Sequence, residues 1–433
     1  MFNPKDVFRS FFPKTVTAFF CIIFGLYVGE KNIPAPEEKF TPVLRFTVCS
    51  DIHLTGESGE FQENQLRNVI SQSYAYSEQN SVYSELDAFV VCGDMTEWGK
   101  ECEYLHFRSI TDKALKDSTR LLCCMGNHEF IEANEISGID PFENYRRFIS
   151  ENVDTHIIIN GYHFIGLSYS DGKETFKGKT AWLKNEIEKA IEDTGDKPVF
   201  VYQHPHPSLT VYGSVHWGEI SIRRVLSKYK QVINFSGHSH YNAADPRSVY
   251  QGSFTAFGTG SLIGLIGNLN YLDANAPSMS DSASYYIIEI DKDGNLRALV
   301  FDPLTGKEFP GTEKYIPVGK RPYTWSNLIK ADTGPAFPDD AAITTQNDSN
   351  GDTVLTFPEA EGYYPAQSYN ITLCNSKGKT VFSESFPSGY IHSDNVALSV
   401  NLGKLECGEY RAIITPVSPY YKNGHSISTE FVI

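Results

Sequence analysis

Five short polar blocks carry the residue types that can do chemistry. They are Asp51-Ile52-His53, Gly93-Asp94, Gly126-Asn127-His128-Glu129, Gln203-His204 and Gly237-His238-Ser239-His240. Each block follows an apolar run with strand character, such as Val43–Ser50, Asp87–Cys92, Arg120–Met125, Lys197–Gln203 and Gln231–Ser236. In layered α/β folds the C-terminal ends of strands converge on a shared edge, where ligands bind. Carboxylates and imidazoles crowded at that edge repel and desolvate one another, and divalent cations offset the cost. Carboxylate with neutral imidazole suits Mn, Fe or Zn better than Ca. The ligand count exceeds one four-coordinate zinc. It fits two ions bridged by a carboxylate, about 3.5–4 Å apart.

The blocks DxH, GD, GNH[D/E], a lone His and GHxH, in this order, resemble the calcineurin-like metallophosphoesterase superfamily across residues 43–302. The resemblance implies a four-layer α/β/β/α sandwich with two divalent ions (Mn, Fe or Zn) at one sheet edge. It places Asp51, His53 and His240 on the first ion, Asp94 between the ions, and Asn127, His204 and His238 on the second. It gives His128 a catalytic role, contacting the phosphate and protonating the leaving oxygen, and makes Asp94 the bridging catalytic carboxylate. The substrate it implies is a small phosphate ester, a monoester or a diester.

In Gln203-His204-Pro205-His206-Pro207 either histidine could face the metal; the family ligand sits directly after the strand, which selects His204. His206 then touches a ligand or the substrate, or is exposed. Glu97 is expected to orient His128, and Glu129 to support the third block. The second block departs from the phosphoprotein phosphatases. Trp98 stands where they carry the arginine that grips a phosphate dianion bidentately, and Met125 precedes the third block in place of a second arginine. Both losses leave room for a diester or another small ester, whose reacting phosphate carries less charge. Tyr169, Tyr212, Trp217 and Tyr241 lie near the blocks and could stack on a base or sugar.

The elements that must position these residues alternate strand and helix. Leu66, Val69, Ile70, Ser73 and Tyr74 share one helical face within 61–79, and Leu183, Ile187, Ala190 and Ile191 another within 179–193. Thr155–Asn160 and Tyr162–Ser168 read as a hairpin about Gly161, and Tyr285–Ile290 and Leu296–Phe301 as a second. Residues 303–340, rich in Pro, Gly and Lys, form a connector partly packed on this body. From 341 to 433 short alternating strands separated by Gly, Asn, Ser and Pro indicate a small all-β sandwich. The run Gly408–Pro416 resembles late strands of fibronectin type III-like domains.

Lys5, Arg9 and Lys14 precede the apolar stretch Thr15–Val28, so residues 1–30 read as a signal peptide or signal anchor, with 31–42 as linker. The stretch falls short of the roughly 20 apolar residues of a membrane span. The expectation is an exported, extracytoplasmic or membrane-anchored protein, the membrane being reached through this segment; a cytoplasmic enzyme acting on a cyclic nucleotide is the alternative. The eight cysteines lack CxxC spacing; Cys49, Cys92, Cys123 and Cys124 lie in apolar runs, and Cys374 and Cys407 could pair.

The 433 residues allow two or three domains. A net charge of -16, from 37 basic and 53 acidic residues, argues against a protein that coats nucleic acid. One small phosphate ester stays compatible, because bound cations reverse the local sign. An inert metallophosphoesterase-like body serving a surface binding or adhesion protein is the competing class; inert relatives lose ligands, and no ligand type is missing here.

Overall fold

The computed structural model describes residues 40–264, 282–388 and 398–433. The signal or anchor expected at 1–30 and nearly all of the 31–42 linker lie outside the described residues. Among the described residues no helix is long and apolar enough to cross a membrane.

The chain runs β1 (Pro42–Cys49), α1 (Phe61–Glu78), β2 (Ala88–Cys92), α2 (Glu101–Ala114), β3 (Arg120–Cys124), α3 (Ile131–Glu135) and α4 (Pro141–Phe148). The hairpin β4 (Thr155–Ile159) and β5 (Tyr162–Leu167) leads to α5 (Thr180–Thr194), β6 (Val199–Gln203), the two-residue pair β7 (His206–Pro207) and β8 (Gly218–Glu219), α6 (Ile220–Leu226) and β9 (Val232–Ser236). Then come β10 (Val249–Gln251), β11 (Thr255–Gly258), β12 (Tyr285–Asp291), β13 (Leu296–Phe301), β14 (Lys314–Ile316) and α7 (Trp325–Ala331).

Two six-stranded sheets form, in the orders β14-β13-β12-β1-β2-β3 and β10-β11-β9-β6-β5-β4. Strand alternation sorts the side chains. Phe46, Val48, Val90, Cys92 and Leu122 of the first sheet meet Phe164, Phe200, Phe235 and Phe257 of the second in one buried cluster. Phe46 is its hub, with ring centroids 5.1, 4.9 and 5.8 Å from Phe164, Phe200 and Phe235. The opposite sheet faces pack on helices. Leu66, Val69 and Ile70 of α1, at i, i+3 and i+4, and Leu183, Ile187 and Ala190 of α5 are buried there with Val91, Val199 and Val201. The order of layers is therefore α/β/β/α. Within the connector, β14 pairs antiparallel with β13 and so extends the first sheet.

The last hundred residues add β15 (Thr344–Asn347), β16 (Thr353–Phe357), β17 (Ser368–Asn375), β18 (Thr380–Pro387), β19 (Leu398–Asn401), β20 (Glu409–Val417) and β21 (Ile427–Val432). They form a three-stranded sheet, β15-β16-β19, and a four-stranded sheet, β18-β17-β20-β21. Leu355, Phe357 and Val400 of one sheet share a core with Tyr369, Ile371, Ala412 and Ile414 of the other. This is the expected all-β sandwich. It is tied to the body by Gln367 Nε2, 3.2 Å from the Tyr212 hydroxyl, and by Ser418 Oγ, which donates to Asp332 at 2.5 Å. Cys374 and Cys407 are both free thiols, and Cys49, Cys92, Cys123 and Cys124 are free and buried.

Candidate metal centre

All five polar blocks emerge from C-terminal strand ends. Strands β1, β2 and β3 run parallel, as do β5, β6 and β9, so their ends open on the same edge. The first two loops are laced together: the N–H groups of Asp51 and Ile52 donate to the carbonyls of Gly93 and Asp94 at 3.1 and 2.7 Å. Asp51, His53, Asp94, His238 and His240 all adopt positive φ, from 51° to 75°. For residues other than glycine that conformation costs about 1–3 kcal/mol each, and it clusters at functional sites. Gly93, at φ 86°, allows close approach as well: a Cβ there would stand 2.7 Å from the His204 ring.

The candidate ligands fall into contiguous groups. Asp51, His53 and His240 converge, as do Asp94, His204 and His238. His240 Nε2 is 3.2 Å from Asp51 Oδ1, and His204 Nε2 is 3.0 Å from Asp94 Oδ2 and 3.1 Å from His238 Nδ1. Asp94 stands between the groups, its Oδ2 also 3.8 Å from His53 Nε2. Two buried atoms here have no hydrogen-bond partner, His53 Nε2 and Asn127 Oδ1. A buried polar atom left unpaired costs about 1–3 kcal/mol, so each needs an explanation. A divalent cation supplies one, because a bare imidazole nitrogen and an amide oxygen are both electron-pair donors. The residues present thus fit divalent metal.

The supporting contacts fix which nitrogen faces the centre. His204 Nδ1 donates to the Cys92 carbonyl at 2.8 Å, which frees Nε2. His53 Nδ1 donates to Glu97 Oε2 at 3.0 Å, which turns its Nε2 toward the centre. The Ser50 hydroxyl donates to Asp51 Oδ2 at 2.5 Å, and the His238 N–H donates to the same oxygen at 3.0 Å. A serine before an aspartate carries no sequence signal for the Ser50 contact.

Electrostatics follow the same geometry. Burial opposes ionisation of Asp51 and Asp94, yet His240 and His204 beside Asp51, and His204 beside Asp94, hold both carboxyls well below the usual range. Burial likewise opposes charge on His204, but Asp94 and Asp51 push it up to about 10. His238, buried against His204, is pushed down to about 3. Groups that favour a proton on His204 this strongly also favour a cation between them.

The residues around the blocks take distinct places. His206 is buried, with Nδ1 2.8 Å from Ser236 Oγ and Nε2 2.7 Å from Ser239 Oγ, so it braces the last loop rather than facing the centre. Glu129 is also buried and accepts from the N–H groups of Asp94, Thr96 and Gly126 at 3.0, 2.9 and 2.6 Å, tying the second and third blocks together. Burial and Asp94 push its carboxyl up, against the pull of these donors. Glu97 reaches both rings: its carboxylate Oε2 accepts from His53 Nδ1 at 3.0 Å and stands 3.7 Å from His128 Nδ1, while its main-chain carbonyl makes the closer contact to His128 Nδ1 at 2.9 Å. The His128 ring lies edge-to-face on His53 at 4.2 Å, and His128 stands within reach of the same group as His53 and Asp94.

Beside His238 lies a pocket of about 240 Å³, lined by Tyr169, Lys173, Glu174, His216, Trp217 and Glu219 among others. Tyr169 and Trp217 are thus pocket residues. Tyr212 and Tyr241 instead stack on each other at 3.8 Å, with the Arg247 guanidinium 3.7 Å from the Tyr212 ring. Lys173 and Glu174 escaped the sequence reading, because an isolated Lys-Glu pair in a loop looks like any solvated turn.

Residues 44–242 match the calcineurin-like phosphoesterase family. An uncharacterised protein of Methanocaldococcus jannaschii is 28% identical over 164 residues, 36% of this chain and 69% of the relative. Among solved structures, a purple acid phosphatase from yellow lupin (Lupinus luteus) seeds aligns at 14% identity and a TM-score of 0.42, over 66% of this chain and 55% of the other. The 5'-nucleotidase precursor of Thermus thermophilus aligns at 14% identity and a TM-score of 0.36, over 61% and 56%. The chain therefore spans about half the length of those two structures.

Proposed function

We propose, from the match of residues 44–242 to the calcineurin-like phosphoesterase family and the geometry of the five polar blocks, that the chain is a dinuclear metal-dependent hydrolase of phosphoric esters. The observation that carries this reading is Asp94, which sits between two ligand groups while His53 Nε2 and Asn127 Oδ1 are buried with no hydrogen bond. Asp51, His53 and His240 would hold one ion, Asn127, His204 and His238 the other, and Asp94 both. Mn, Fe and Zn suit this donor set. When bound, such a pair of ions supplies Lewis acidity toward a phosphoryl oxygen and makes water a stronger acid.

The protein's own groups do the rest. The Cys92 carbonyl and the Glu97 carboxylate hold His204 and His53 in single tautomers, so both present Nε2 without rearrangement. His128, pinned through Nδ1, keeps Nε2 for the substrate, where it donates to a phosphoryl oxygen and passes a proton to the leaving oxygen. The pocket beside His238 receives the organic part of the ester, with Trp217 and Tyr169 as walls and Lys173 as its cation. Trp98 occupies the place of a phosphate-gripping arginine; its main-chain N–H donates to Glu103 Oε2 at 2.9 Å and its ring carries Lys100 Nζ at 4.9 Å. That supports a diester over a monoester dianion.

Export rests on the basic and apolar character of residues 5–28, and the three-plus-four strand arrangement supports a fibronectin type III-like sandwich that would hold the catalytic body away from a surface. The test of the function is turnover of bis(4-nitrophenyl) phosphate and 4-nitrophenyl phosphate under Mn, Fe and Zn, with and without chelator. Chelator-sensitive turnover, faster on the diester, is expected. No turnover of either ester with any of the metals would end the proposal. Fractionation of cells expressing the full chain tests export; a wholly soluble intracellular pool would remove it.

A further inference from the structure

A second histidine pair lies on the edge of the other sheet. His156 of β4 and His163 of β5 are diagonal neighbours, since His156 pairs with Ile165 and His163 with Ile158. Their side chains emerge on the face that α5 covers, where Glu186 and Asp193 stand seven residues apart on one face of that helix. The four form an unbroken line. Glu186 Oε2 is 2.7 Å from His156 Nδ1, His156 Nε2 is 2.7 Å from His163 Nδ1, and His163 Nε2 is 2.9 Å from Asp193 Oδ2.

Counting protons along the line exposes a conflict. Carboxylates only accept, so the outer nitrogen of each ring carries a hydrogen. Two neutral imidazoles then direct lone pairs at each other across 2.7 Å. Something positive must lie between them. A carboxylate behind each ring with the inner nitrogens converging is the arrangement that orients metal-bound histidines and raises their basicity. The geometry points to a peripheral site for a borderline divalent cation such as zinc, ligated by His156 Nε2 and His163 Nδ1 and completed by water. Nitrogens about 2.0–2.1 Å from one tetrahedral zinc stand about 3.3 Å apart, so the rings need open by only about half an ångström. His156 is partly exposed, which gives the ion a way in, and Lys189 Nζ holds Glu186 at 2.7 Å on its outer oxygen. The site shares no residue with the candidate metal centre and does not depend on it.

Equilibrium dialysis of the full chain against zinc at about pH 8 tests the site. His156→Gln and His163→Gln should each bind one zinc fewer than the parent while hydrolysing phosphate esters at the parent rate. Asp94→Ala should lose zinc from the central site yet keep this one. Glu186→Gln should weaken the peripheral zinc by about 10–100-fold. If His163→Gln fails to fold, His156→Gln, at the more exposed ring, decides alone. Equal zinc stoichiometry in the parent and His156→Gln would overturn the site and leave a shared proton as what joins the two rings.

Discussion

Glu97 Oε2 lies 3.0 Å from His53 Nδ1, and that one contact sets which nitrogen His53 turns toward Asp94. A carboxylate behind a ligating imidazole fixes its tautomer and orientation. Glu97→Gln should therefore weaken metal binding by about 10–100-fold. Activity measured against added Mn should recover at high metal, because the ligands themselves remain. An unchanged metal dependence would refute this role for Glu97.

Asp94 Oδ2 lies 3.8 Å from His53 Nε2 in one ligand group and 3.0 Å from His204 Nε2 in the other. Asp94→Ala should strip metal from both, read by elemental analysis after dialysis. His128→Ala should retain the metal and lose rate by about 10²–10⁴-fold, the usual contribution of a general acid or base. The reverse pattern, with metal kept in the first variant and lost in the second, would exchange the two roles.

Glu129 has a structural task that rate measurements would miss. Its carboxylate closes three main-chain N–H groups from two loops, out of contact with water. Glu129→Ala leaves them unpaired, at about 1–3 kcal/mol each. Thermal unfolding of the chelated protein should show the loss; comparable stability would mean that the loops find other acceptors.

Lys314 offers a pH signature remote from the centre. Burial on β14 pushes its ammonium down to about 8, with Asp245 and Glu308 pulling the other way. Between that value and the unfolded value near 10.5 the unfolded chain binds more protons, so stability from this group rises with pH across the window. Lys314→Met should stabilise the fold below pH 8, by up to about 3 kcal/mol, and the gain should shrink toward pH 10.5. Denaturant unfolding at pH 7 and pH 10 checks it; a gain independent of pH would exclude the buried charge as its source.

Local pattern carries far. Period-two alternation in Leu44, Phe46 and Val48 and helical spacing in Leu66, Val69 and Ile70 are enough for the layered α/β class, and turn spacing is enough for the second, all-β unit. Strands β15 and β21 escape such a reading because edge strands such as Ile427–Val432 bury little and read as polar. The helix Ile220–Leu226 is short and gives no clear stripe.

The order of the polar blocks, the strands before them and the residue types able to bind metal were written in the chain itself, because each depends on neighbours within a few positions. Which partner each side chain meets was decided by folding. His204 faces Asp94 while His206, two residues on, is held by Ser236 and Ser239. Glu97 reaches His53 across 44 positions and His204 reaches the Cys92 carbonyl across 112. His156 and His163 confront each other because two strands pair in one register. Such contacts depend on the twist and register of sheets that close long loops, and no local window of sequence encodes them.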